Sequence, residues 1–189
     1  MRKSILLLTI VFLLMACKKE YVPKPRGYFR IGFPGKSYHQ IDDNLPYQFD
    51  IPDYSKLVDD PERDAEPTWR NIEIPANNAE VHISYKKIEN NLETFTEESR
   101  SLAYQHSIKA DAINEQIFVN PQGKVYGTIY LIDGNAASPI QFYLTDSTKN
   151  FLRGALYIRE VPNIDSIRPV IDFLRPDIIH LIETTHWNN

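Results

Sequence analysis

Lys124-Val125-Tyr126-Gly127-Thr128-Ile129-Tyr130-Leu131-Ile132, then Pro139-Ile140-Gln141-Phe142-Tyr143-Leu144-Thr145, then Phe151-Leu152-Arg153-Gly154-Ala155-Leu156-Tyr157-Ile158-Arg159 are three period-2 runs separated by short polar turns. Alternation of this kind marks strands, and connections too short for a crossover force antiparallel pairing. Ile117-Phe118-Val119 ends a further run at the turn Asn120-Pro121-Gln122-Gly123, so four strands form a meander. The two faces differ. Val125, Ile129 and Leu131 share one face with Ile140, Phe142, Leu144, Leu156 and Ile158, whereas Tyr126, Thr128, Tyr130, Gln141, Tyr143, Thr145 and Tyr157 share the other. The aliphatic face needs a covering layer. The tyrosine face has two readings, packing beneath a second helix or an open platform for a ligand.

Helices are placed on both sides of this core in the sequence. Upstream, Glu80 to Lys86 alternates as a half-buried strand, and Asn90 with Glu93 resembles a helix start. Leu92, Phe95, Leu102 and Ala103 recur at helical spacing, which predicts a helix over about 91–106. Downstream, Ile167, Val170, Ile171, Leu174, Ile178, Leu181 and Ile182 follow one helical stripe whose register runs straight through Pro176. That predicts one kinked helix rather than two. The fold class is therefore α+β, an antiparallel β-sheet flanked by two or more helices. Its element order is similar to the Mog1/PsbP-like fold, an analogy of fold alone.

The N-terminus decides the compartment. Met1-Arg2-Lys3 is positive, and Ile5 to Leu14 is almost wholly apolar but, at about 1.5 Å per residue, half the length a bilayer demands. This is the layout of a signal peptide. It ends in Leu14-Met15-Ala16-Cys17, which resembles a bacterial lipobox: Ala16 precedes the cleavage site, and the Cys17 thiol accepts the diacylglycerol. Acyl chains then hold the protein on a membrane without a spanning helix. Lys18-Lys19 in place of an aspartate point to the outer membrane, and the lack of an acidic run after Cys17 points to a periplasmic orientation. The expected organisation is a signal peptide over 1–16, a lipidated, basic, proline-containing tether over 17–36, and a single α+β domain over 37–189.

Composition narrows the function. The 189-residue chain carries formal charge -4, and loss of Arg2 and Lys3 with the signal peptide takes it to −6, which disfavours nucleic acid as a partner. Lys18, Lys19, Lys24, Arg26, Arg30 and Lys36 make the tether basic, either as a solvated spacer or as a contact to anionic head groups. The acidic stretch 42–66 holds a short strand around Tyr47–Ile51 and otherwise reads as solvated loop, because calcium-loop spacing is missing. No nucleophile elbow, phosphate loop or His-Glu-x-x-His motif is present, and the single cysteine, Cys17, is consumed by lipid. His180 and His186, six apart, make a poor metal pair. The residues point to no catalytic site, no metal and no cofactor.

Four stretches carry a family resemblance: Tyr21 to Ile31, Asn120 to Gly127, Gln141 to Ser147, and Phe173 to Glu183. Together they are similar to the gliding-motility lipoprotein GldD family of the Bacteroidota, across nearly the whole mature chain. The resemblance implies a non-enzymatic, structural or assembly component of the gliding machinery and of the linked type IX secretion, with other envelope proteins as partners. The alternative from the residues is a glycan- or peptidoglycan-binding lipoprotein that stacks sugars on Tyr126, Tyr130, Tyr143 and Tyr157.

Overall fold

The computed structural model describes residues 32–160 and 163–188. The signal peptide, Ala16, Cys17 and most of the tether lie outside them. Eleven strands and two helices follow in order: β1 Tyr38–Gln40, β2 Tyr47–Gln48, β3 Asp50–Pro52, β4 Lys56–Asp59, β5 Arg70–Ile74, β6 Ala79–Lys87, α1 Leu92–Tyr104, β7 Ala110–Asn120, β8 Val125–Gly134, β9 Ile140–Thr145, β10 Asn150–Ile158, α2 Ile164–Thr184 and β11 His186–Trp187. Seven strands make one antiparallel sheet in the order β4-β5-β6-β10-β9-β8-β7. The meander β7 to β10 is as the turns require, and β6 joins it beside β10. The fold is α+β.

The aliphatic face is buried. Val125, Ile129, Ile140, Phe142, Leu144, Leu152 and Leu156 form one core with Val81, Ile83, Ile72 and Ile74, and the stripe of α2 closes it. Tight approach shapes the centre of this sheet. Gly154 on β10 lies opposite Phe142 on β9, and a Cβ there would stand 2.1 Å from the Phe142 ring. The ring occupies the space a side chain would need.

Helix α2 runs unbroken through Pro169 and Pro176. A proline inside a helix lacks the N–H for the carbonyl four residues back and pushes the preceding turn open. Near that disturbed turn the Phe173 carbonyl accepts a hydrogen bond from Lys36 Nζ at 2.7 Å. The same lysine reaches Asp177, a carboxylate only 2% exposed on the apolar side of the helix.

Three local readings change. The expected capping pair at Asn90 and Glu93 does not form: α1 starts after Asn91 with no side-chain cap, and Asn90 sits in the left-handed region at φ 61. Asn91 Oδ1 instead accepts the backbone N–H of Glu89. The acidic stretch holds strands as well as loop, because Lys56–Asp59 pairs with Arg70–Ile74 despite the prolines and aspartates around both. Propensity yields there to a sheet edge that needs a partner. Phe33 and Lys36, at the end of the basic stretch, pack on α2: the Phe33 and Phe173 rings stack at 4.2 Å.

Candidate functional site

The second face of the sheet is assembled row by row. Asn71, His82, Ala155, Gln141 and Tyr130 stand side by side on β5, β6, β10, β9 and β8. The next row brings Ser84, Arg153, Tyr143 and Thr128 together, and the one after that Lys86, Phe151, Thr145 and Tyr126. Helix α1 crosses part of this face. Its Ala103 packs on Tyr130, Ile132 and Ala136, and its Phe95 meets the Phe151 ring at 5.3 Å.

The four tyrosines singled out in the sequence do share this face, in unequal settings. Tyr130 is 2% exposed, and burial pushes its phenol up to about 12. Tyr143 is half-buried, stacks on Phe151 at 5.5 Å and accepts a hydrogen bond from Thr128 Oγ1 at 3.1 Å. Tyr157 is half-buried against the His82 ring, 4.9 Å away, and Tyr126 is half-buried at the far end of β8.

Where α1 diverges from β6 and β10, a cleft of about 200 Å³ opens. Phe95, Ser99 and Leu102 of α1 form one wall, and Ser84, Phe151 and Arg153 of the sheet form the other. Trp69, Lys86 and His82 also line it, with the carboxylates of Asp60, Glu62 and Glu98. Trp69 is fixed by its indole N–H, which donates to the Tyr85 carbonyl at 3.2 Å.

Arg153 is the unusual group. Its Nη2 donates to Gln141 Oε1 at 2.7 Å. Arg70, Arg100, Arg159 and Arg175 each reach a carboxylate, but among the described residues none lies within ion-pair distance of Arg153. Burial pulls its pKa below the ordinary arginine value, with Tyr157 and Glu98 opposing. The His106 imidazole is pulled down as well, by burial first and by the Arg153 charge second. The row beside Arg153 contains three buried polar atoms without a hydrogen-bond partner, Gln141 Nε2, Asn71 Oδ1 and His82 Nε2. His82 Nε2 lies 3.0 Å from Glu80 Oε1 without hydrogen-bond geometry. Burial alone would raise the Glu80 carboxyl, yet Arg159 and His82 outweigh it and hold the group below its usual value.

His180 and His186 go to separate partners: His180 Nε2 lies 3.0 Å from Asp50 Oδ2, and His186 Nε2 lies 2.9 Å from Gln48 Oε1. The Arg153 cleft went unread in the sequence. Its signal was a lone arginine inside an otherwise apolar strand.

The fold is an α+β domain whose sheet carries helix α1 and the Arg153 cleft on its second face. The chain belongs to the gliding motility lipoprotein GldD family, whose model matches residues 18–187. No curated protein matches it. Among solved structures it is similar to the cyanobacterial PsbP (CyanoP) of Synechocystis, in solution, at 13% identity and TM-score 0.48, over 87% of this chain and 99% of that one.

Proposed function

We propose that this protein is an outer-membrane lipoprotein, anchored through Cys17 and facing the periplasm, that serves as a structural or assembly component of the gliding machinery and of the type IX secretion linked to it. The supporting observation is the family match from residue 18 onward, directly behind the lipobox-like Leu14-Met15-Ala16-Cys17. Among the described residues no helix is long and apolar enough to cross a membrane, so lipid on Cys17 would supply the attachment. In this reading the domain acts by binding other envelope proteins and carries out no chemistry.

A strain lacking the gene tests the role. Surface spreading and the secreted proteome should both fail, and a plasmid copy should restore both. Normal spreading and secretion in the deletion strain would refute it. Cys17→Ala in the plasmid copy should shift the protein from the membrane to the soluble fraction, and membrane partitioning equal to the wild type would exclude the anchor.

A further inference from the structure

We infer that the cleft between α1 and strands β6 and β10 is a binding site for the chain end of a peptide, with Arg153 receiving the terminal carboxylate and the apolar wall receiving the last side chain. A half-buried guanidinium that meets a neutral amide and no carboxylate has donors left over, and its planar fork matches a carboxylate. His82, whose buried Nε2 makes no hydrogen bond, lines the same cleft beside Arg153. Lys86 adds a second positive charge to the wall.

The rest of the lining selects among carboxylates. Trp69, Phe95, Phe151 and Leu102 present an apolar surface, and about 200 Å³ holds one large side chain and not an oligomer. Asp60, Glu62 and Glu98 repel a polyanion, which disfavours phosphates and uronate chains. They suit peptide N–H groups or a basic residue upstream of the chain end. This assignment stands independently of the role in gliding.

Isothermal titration of the full-length lipoprotein in detergent micelles tests it with three probes. These are a peptide of alternating lysine and glycine ending in phenylalanine with a free carboxylate, the same peptide as its C-terminal amide, and 3-phenylpropionate. The free acid should bind at least about tenfold more tightly than the amide, the scale of a lost charged hydrogen-bond pair. Phenylpropionate should be weaker than the free acid. Arg153→Gln should abolish the difference between acid and amide while leaving the thermal unfolding transition in place. If that variant does not fold, Lys86→Gln should weaken the acid peptide and Glu98→Gln should tighten it. No saturable heat from the acid, equal affinity of acid and amide, or an unchanged acid affinity in folded Arg153→Gln overturns the site. Phenylpropionate binding as tightly as the acid peptide overturns the assignment to a peptide chain end.

Discussion

Asp177 shows how much one residue can organise. It sits on the apolar stripe of α2, is 2% exposed, and accepts hydrogen bonds from Lys36 Nζ at 2.5 Å, from Tyr38 at 2.8 Å and from Tyr54. Lys36 also lies over the Phe173 ring, 3.4 Å from its centre. A buried carboxylate is tolerable only with this many donors, and removing it strands all of them. Asp177→Ala should therefore cost about 3 kcal/mol, read as a lowered urea midpoint with an unchanged slope. Gly154 is the opposite case, a residue needed for what it lacks. Gly154→Ala should cost about 1–3 kcal/mol by overpacking against Phe142, and Phe142→Leu in the same chain should recover part of it.

At the scale of elements, the segment from Phe33 to Tyr54 is a strap laid over α2. Burial first and the Asp177 carboxylate second push the Tyr38 phenol from 10.0 up to about 12, and Tyr54 moves in the same direction for the same reasons. The fold thus holds protons that the unfolded chain releases. This contribution to stability is complete below the unfolded value near pH 10 and is lost as pH rises toward about 12. Urea midpoints should fall steeply over that window, and Tyr38→Phe should flatten the fall. The β9–β10 turn behaves oppositely. Burial would raise the Asp146 carboxyl, but the backbone N–H groups of Thr148, Lys149 and Asn150 all donate to it and hold it below its usual value. Its stabilisation is present above the ordinary carboxylate pKa of about 4 and fades as pH drops through the lower folded value. Asp146→Ala should cost about 1–2 kcal/mol near neutrality, with the deficit shrinking in acid as measured by thermal unfolding.

At the scale of the whole molecule, one long sheet edge has no strand partner among the described residues. Strand β7 ends the seven-stranded sheet with eleven residues and exposes Ile117 at 83% and Val119 at 58%. Unprotected edges of this length invite pairing with another chain. Ile117→Lys in the unlipidated Cys17→Ala protein should lower light scattering on concentration, with the unfolding midpoint moved by no more than about 0.5 kcal/mol. Equal scattering would mean that the edge does not drive association.

Whatever followed from spacing along one element was legible without coordinates. The meander, the two faces of its strands, the extent of α1 near 91–106 and the passage of α2 through Pro176 all rest on local periodicity and short turns, and the structure has them. Tertiary structure alone decided what pairs across long separations. The joining of β6 to β10, the rescue of Lys56–Asp59 by Arg70–Ile74, and the meeting of Lys36 with Asp177 are set by residues 11 to 141 positions apart or by elements that fold back on the sheet. The Arg153 cleft belongs with these. Its walls come from β6, α1, β10 and the β4–β5 connection, and an arginine in an apolar strand acquires meaning only when the partners it lacks are known in space.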